Sequence, residues 1–278
     1  MDIVGIYHND AGTILLDHTI RTGNFTMTVQ HSHDEYELYY LMSGQRDYFI
    51  RDRTYRVEKG SFVFIEREEL HRTIDTGVPN HERVVLNFSH ALLAGFPLHG
   101  SNGVITLPPQ EQYKGEALIA ELIEEARGNA AGRDVMLESL LRQLLMLLFR
   151  AQAEQPEPEA QPSSAHRVIS EVASYIGDNY KEPLRLNDVA KRFFVSPYYL
   201  SRKFKQCTGF GFSEYVQLVR VREAQRLLRE TDLKMIEIAS LIGIEPVANF
   251  YKLFKSANGC SPLQYRKRQR GAAGGTGE

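Results

Sequence analysis

The sequence predicts two domains of different class, an N-terminal all-β barrel with two following helices and a C-terminal all-α double helix-turn-helix. Three observations predict this. From Thr13 to about Leu86, short runs rich in aromatic and β-branched residues alternate with turn residues. From residue 187 onward, one helical unit is written twice. Between these regions, residues 153 to 165 are dominated by Pro, Glu and Gln and carry no hydrophobic period, so they read as a flexible linker.

In the first region the expected strands are Phe25 to Val29, Glu37 to Met42, Tyr48 to Ile50, Thr54 to Val57, Ser61 to Ile65 and Val84 to Phe88. Gly23, Ser43-Gly44, Lys59-Gly60 and the run from Gly77 to Asn80 punctuate them. Many short strands with regular turns argue for a small barrel or sandwich. Within them stands His31-Ser32-His33-Asp34-Glu35-Tyr36-Glu37, followed by Gly44. The pattern His-x-His-x3-Glu-x6-Gly resembles the first signature of cupin barrels. Gly60 and His71 stand at the separation of the second signature, with Glu66 and Glu68 where Pro and Gly are usual. The resemblance implies a cupin-like, effector-sensing barrel over residues 1–110.

Alternate residues of a strand share a face, so His31, His33, Glu37 and Tyr39 are expected to point into one cavity, with His71 joining from a neighbouring strand. Three uses of this set stay open. It lines a small-molecule effector pocket, which is the expectation carried forward, with no resident cofactor. It holds a divalent metal on His31, His33, Glu37 and His71, since imidazoles with a carboxylate suit transition metals. Or its members only hydrogen-bond one another.

Leu107-Pro108-Pro109 ends the β region, and residues 111–152 follow as a helical segment. Glu116 to Arg127 places Leu118, Ile119, Leu122 and Ile123 on one side. Asp134 is expected to cap a helix through about Gln152 whose leucines and Phe149 form a surface wider than one stripe. Such a helix needs cover on two sides, which suggests a homodimer; cover from the preceding helix is the alternative.

Residues 166–270 form the second domain, opened by a helix from Arg167 to Asn179. Leu200, Phe204, Lys205 and Gly209 map onto Phe250, Phe254, Lys255 and Gly259 at one constant offset. Val189, Ala190 and Val195 map onto Ile238, Ala239 and Ile244 at an offset one residue shorter, so the second copy has one extra residue in its turn. Each copy reads as helix, tight turn, helix. Ser196 before Pro197 is a helix-start pairing, and Gly243 supplies the second turn. Ser213 is expected to cap a connecting helix to about Leu228, roughly 16 residues or ~24 Å long. The Gly-rich tail, 271–278, is expected to be disordered.

The stretches "SPYYLSRKFKQCTG", "FSEYVQLVRVREAQRLL" and "MIEIASLIGIEPVANFYKLFKSANGCSPLQYRK" resemble the DNA-binding domain of the AraC/XylS family of bacterial transcription regulators. The sequence departs from that pattern at Ile244, where Phe is usual, and at Arg185, where a Ser or Thr cap is usual. The resemblance implies that both second helices enter successive major grooves of one duplex, ~34 Å apart. Leu200 and Phe204 fix which face of the first helix is buried. That leaves Arg202 to take guanine, with Tyr198 and Ser201 beside it. In the second helix Asn249 suits adenine, Val247 and Ala248 suit thymine methyl groups, and Lys252 suits guanine or a phosphate. Lys203, Lys205, Lys255 and Arg266 read as phosphate neutralisers.

Charge agrees with this division. Counting Lys and Arg against Asp and Glu, residues 1–150 carry −7, residues 151–165 carry −3 and residues 166–278 carry +8, within a chain of net −2. A basic surface confined to the last part suits a polyanion. No N-terminal signal stretch or membrane-spanning run is present, and the two cysteines, Cys207 and Cys260, read as packing residues at related positions, so a cytoplasmic location is expected. The expectation is therefore an effector-controlled DNA-binding regulator, not an enzyme, with promoter half-sites and RNA polymerase as partners. The alternative is a metal-dependent cupin enzyme carrying a DNA-binding module.

Overall fold

The computed structural model describes residues 2–23, 35–96, 102–154 and 164–273. The expected strand Phe25 to Val29, His31 and His33 lie outside these residues. The chain divides into two compact units, Met1–Gln161 and Pro162–Glu278.

The described strands of the first unit are β1 (Asp2–His8), β2 (Ile14–Arg21), β3 (Tyr36–Ser43), β4 (Gln45–Ile50), β5 (Arg53–Glu58), β6 (Phe62–Ile65), β7 (His71–Ile74), β8 (His81–Phe88) and β9 (Gly103–Ile105). They form a six-stranded sheet, β1-β2-β8-β3-β6-β9, and a three-stranded sheet, β5-β4-β7. Among the described residues the strands thus build two sheets rather than one closed ladder. The period of two sorts their side chains. Leu38, Tyr40, Phe64, Val84 and Leu86 on one face of the large sheet join the helical segment in one apolar cluster. Tyr39, Leu41, Val63, Ile65 and Val85 on the other face join Tyr48, Ile50 and Val57 of the small sheet.

Two helices cover the outer face, α1 (Pro109–Arg127) and α2 (Arg133–Glu154). Proline at the first helical positions costs no hydrogen bond there, so α1 starts seven residues before the expected Glu116. The wide apolar surface of α2 finds its cover within one chain. Leu137, Leu140, Leu141, Leu144, Leu145, Leu148 and Phe149 are all buried, against the sheet and α1, and Leu147 is half-buried. Arg142, which interrupts the apolar run, donates to the carbonyls of Leu92 and Ala94 at 3.0 and 3.1 Å. Asp134 lies inside the first turn instead of capping it. Its carboxylate accepts the backbone N–H of Asp10 at 2.7 Å and so pins the β1–β2 turn.

The second unit is all-α: α3 (Ser164–Asn179), α4 (Leu186–Arg192), α5 (Pro197–Thr208), α6 (Phe212–Glu230), α7 (Met235–Leu241), α8 (Val247–Asn258) and α9 (Pro262–Ala273). The bounds of α7 follow those of α4 by 49 residues, and those of α8 follow α5 by 50, so the extra residue sits in the second turn. Gly209 and Gly259 close α5 and α8 at φ 78° and 68°, the left-handed conformation glycine adopts without a Cβ penalty. The cap of α6 is Gly211, whose N–H is received by Glu214 at 2.9 Å, and Ser213 lies exposed in the first turn. α9 continues through Gly271 to Ala273, so the helix enters the stretch expected to be disordered, and residues 274–278 lie outside the described residues. α6 is long enough, ~28 Å at 1.5 Å per residue, to serve both copies. It packs against α3 and α5 on one side of the repeat and against α7, α8 and α9 on the other.

Candidate functional site

Two places gather chemically capable side chains, one in each unit. On α5, Leu200 and Phe204 are fully buried, and that fixes the rotation of the helix. The opposite face then presents Tyr198, which is 75 % exposed, with Ser201, Arg202 and Lys205 also exposed. These four line one shallow surface depression together with Gln206, a residue the sequence pattern did not single out. Ser196 caps the helix by accepting the Tyr199 N–H at 3.1 Å, so the first turn carrying Tyr198 is fixed at its start. Lys203 does not line this depression; it is half-buried and joins the group through Gln206, to which it donates at 3.0 Å.

On α8, Phe250 and Phe254 are fully buried, and Ala248, Asn249, Lys252 and Lys255 are exposed. Val247 is half-buried and packs on the local core, so less of it is available than expected. The Asn249 side chain donates to the Glu245 carbonyl at 3.3 Å. Arg266 is no free phosphate neutraliser. Its guanidinium donates to the Leu233 carbonyl at 2.7 Å from a half-buried position, and burial lowers its pKa. Cys207 and Cys260 are both buried and neither forms a disulfide among the described residues, but they are not equivalent. At the offset of the repeat, Cys260 stands where the first copy has Phe210, and Ala257 answers Cys207.

In the first unit the structure brings Glu37, Tyr39 and His71 together between the two sheets and adds Tyr48. Glu37 is 4 % exposed and receives the Tyr48 hydroxyl at 2.6 Å. His71 Nε2 lies 3.5 Å from the other carboxylate oxygen of Glu37. A carbonyl only accepts, so His71 Nδ1, 2.8 Å from the Glu69 carbonyl, carries a hydrogen. Tyr39 packs edge-on to Tyr48 at 5.2 Å, and burial pushes its phenol up to about 12. Burial, together with the Glu37 carboxylate beside it, also holds the Tyr48 phenol well above its usual range. Both hydroxyls are therefore protonated donors at neutral pH. Since His31 and His33 fall outside the described residues, the four-membered metal set cannot be assembled here. Among the described residues no three metal-ligating side chains converge.

The sequence patterns had passed over Arg21, Arg46, Arg83 and His81, which occupy the same inter-sheet side of their strands as Tyr39 and Tyr48. Their signal was present as alternation: Asp17, Thr19, Arg21 along β2 and His81, Arg83, Val85 along β8. No helix among the described residues is long and apolar enough to cross a membrane.

Comparison with known proteins places each unit in a known domain family. Residues 20–145 match the AraC-like ligand binding domain, and residues 189–268 match a helix-turn-helix domain. The chain is 29 % identical over 252 residues to the HTH-type transcriptional regulator YfiF of Bacillus subtilis, spanning 87 % of this chain and 80 % of the relative. It is 25 % identical over 245 residues to the HTH-type transcriptional activator RhaR of Shigella dysenteriae, spanning 85 % and 86 %. Among solved structures, ToxT of Vibrio cholerae aligns over 93 % of this chain and 96 % of its own at 12 % identity and a TM-score of 0.41. The DNA-binding domain of AdpA in complex with a target DNA aligns over 39 % of this chain and 96 % of its own at 28 % identity and a TM-score of 0.37. With an AraC-like ligand-binding domain ahead of a helix-turn-helix domain, and relatives of the same kind along most of its length, the chain belongs to the AraC family of transcriptional regulators.

Proposed function

We propose that the chain is an activator of transcription, without enzymatic activity, whose α5 and α8 read promoter half-sites in double-stranded DNA. A small molecule in the inter-sheet space of the first unit controls it. One observation carries the reading. The face of α5 opposite Leu200 and Phe204 gathers Tyr198, Ser201, Arg202 and Lys205 around one depression, a polar, cationic surface on a helix whose orientation the core fixes. Arg202 takes guanine in bidentate fashion, Asn249 takes adenine, and Ala248 and Val247 meet thymine methyl groups. Lys252, Lys255, Lys205 and Lys203 supply phosphate contacts. Activation follows the name of the RhaR relatives.

An effector acts by binding one arrangement of the molecule better than another, and it shifts the population by that difference in affinity. RNA polymerase as a partner, pairing of two chains and a cytoplasmic location belong to the same reading. With the apolar face of α2 spent inside one chain, the support for pairing is the exposed Val135 and Met136 at the start of that helix.

The test is a footprint and a binding titration on the adjacent promoter. Arg202→Ala is expected to lose about 1–3 kcal/mol of discrimination at one base pair and little affinity for random DNA. Lys205→Ala is expected to weaken both DNAs alike and to reduce the salt slope by about 1. An unchanged footprint in Arg202→Ala would overturn the assignment.

A further inference from the structure

The two helix-turn-helix copies are joined by more than α6. Residues 180–185 lead from α3 into α4, the first helix of the first copy, yet the start of this segment packs on the second copy. The half-buried Tyr180 lies against the apolar cluster that holds Ile238, Ile242, Phe250 and Phe254. Its hydroxyl bonds to Glu223 of α6, and burial with that carboxylate pushes the phenol up to about 12, so it stays a donor at neutral pH. The carbonyl of Lys181, the next residue, sits on the turn between α7 and α8. A Cβ at Gly243 would come within 2.2 Å of its oxygen and 2.9 Å of its carbon. Gly243 also has a left-handed φ of 69°, so the approach and the backbone both call for glycine.

Arg220 of α6 holds this segment in place. Its Nε donates to the Tyr180 carbonyl at 2.8 Å, and a terminal nitrogen donates to the Glu182 carbonyl at 2.9 Å. These two carbonyls flank that of Lys181, so the planar fork of the guanidinium sets the direction of the peptide that meets Gly243. The arginine recurs at the offset of the turn glycines: Arg270 donates to the Thr231 carbonyl at 3.0 Å, in the segment leading into α7. The latch therefore belongs to each copy, but the seat does not. Phe194, at the position equivalent to Gly243, is 95 % exposed, so the first turn has no matching seat among the described residues.

We propose that residues 180–182, latched by Arg220 and seated on Gly243, set the angle and distance between α5 and α8, so that the protein selects DNA by the spacing of two subsites as well as by their bases. This rests on the assignment of α5 and α8 as reading helices and makes Arg220 a positioning residue, acting through the segment it holds. One base pair added between two subsites moves them ~3.4 Å apart and turns one about the duplex axis by about 34° relative to the other. A rigid reader cannot follow that change. A reader hinged on α6 alone recovers part of the second contact, because a tethered second site gains effective concentration only where the connector can reach it.

The experiment measures binding of the full-length protein to its footprinted promoter site and to the same duplex with one base pair inserted or deleted between the subsites of α5 and α8. The unaltered chain is expected to bind the two altered spacings about tenfold or more weakly. Arg220→Met keeps an apolar stem and removes the donors, so it should bind the natural site more weakly and shrink the spacing penalty to about threefold or less. Arg220→Lys, which retains a charged donor, should fall between the two. Tyr180→Phe removes one hydroxyl and keeps the ring, so it reports even if Arg220→Met folds poorly, and it should lower the penalty about twofold. A purely structural role for Arg220 would weaken binding to all three duplexes by one factor and leave the penalty unchanged, and that result overturns the proposal. An unchanged penalty in Tyr180→Phe, or no penalty in the unaltered chain, overturns it as well. Failure of the unaltered chain to prefer its promoter site over random DNA is a different result, and it sinks the assignment of the reading helices themselves.

Discussion

In the first helix-turn-helix copy, Phe204 packs edge-on to Tyr215 at 5.3 Å; in the second, Phe254 packs edge-on to Tyr265 at 5.4 Å. The repeat therefore runs past the turn glycines into the next helix, with Tyr215 and Tyr265 at the same offset as Gly209 and Gly259. The exteriors of the copies differ. α5 shows Tyr198, Ser201, Arg202 and Lys205, where α8 shows Ala248, Tyr251, Lys252 and Lys255, the tyrosine being half-buried. The turns differ as well. Phe194 and Gly243 occupy equivalent left-handed positions at φ 55° and 69°, but Phe194 is 95 % exposed, while a Cβ at residue 243 would come within 2.2 Å of the Lys181 carbonyl oxygen. Close packing tolerates little change in a shared interior. Outside it, each copy is free to carry its own exposed side chains.

The largest effect tests the shared interior. Phe204→Ala and Phe254→Ala each remove a fully buried ring and should each cost about 3–5 kcal/mol in local stability. Hydrogen exchange on peptides of α5 and α8 in the full chain measures the two losses separately. Similar losses sustain the equivalence of the copies, and a loss confined to one of them breaks it.

The next effect tests the turns. Gly243→Ala adds a side chain to a left-handed residue and drives it into the Lys181 carbonyl, so it should cost at least about 2 kcal/mol. Phe194→Ala keeps the same backbone conformation and removes only an exposed ring, so it should stay within about 0.5 kcal/mol. The melting of α4–α5 and α7–α8, again followed by exchange, distinguishes them. Equal sensitivity at the two positions would mean that the contact with Lys181 is not what requires glycine in the second copy.

What the sequence disclosed and what it hid divide along the same line. Local chemistry was legible: the repeat, the Ser196-Pro197 start, the stops at Gly209 and Gly259, and the buried faces set by Leu200, Phe204, Phe250 and Phe254 all rest on spacing within one helix. Choices among competing local partners were less so. Ser213 looked like the cap of α6, but the cap is Gly211, whose N–H Glu214 receives from the first turn. Arg266 looked like a phosphate contact until the fold brought the Leu233 carbonyl to it from 33 residues away. In the first unit, Glu37, Tyr39 and His71 meet as expected, yet Tyr48 and the arginines around Tyr39 were missed. Their association depends on which strands pair and on how two sheets face each other, and no window of one strand contains that information. The three-residue β9 was missed for a simpler reason: it is too short to show alternation.

The smallest effect separates the structural from the electrostatic role of one residue at which the copies differ. Ser196 accepts the Tyr199 N–H at 3.1 Å, whereas Pro246, the corresponding cap, has no side-chain acceptor to offer α8. Ser196→Ala should therefore loosen α5 alone by about 1 kcal/mol, read as faster exchange in its first turn. Ser196→Asp should keep that turn protected, because a carboxylate caps as well as a hydroxyl and favours the positive end of the helix. The same substitution places a negative charge two residues before Tyr198, on the helix proposed to dock on DNA. If α5 docks on DNA as assigned, Ser196→Asp must weaken DNA binding more than Ser196→Ala while leaving the helix the more stable of the two. Should Ser196→Asp bind DNA as well as the unaltered chain, the start of α5 is not at the phosphate backbone and the docked face of that helix has to be reassigned.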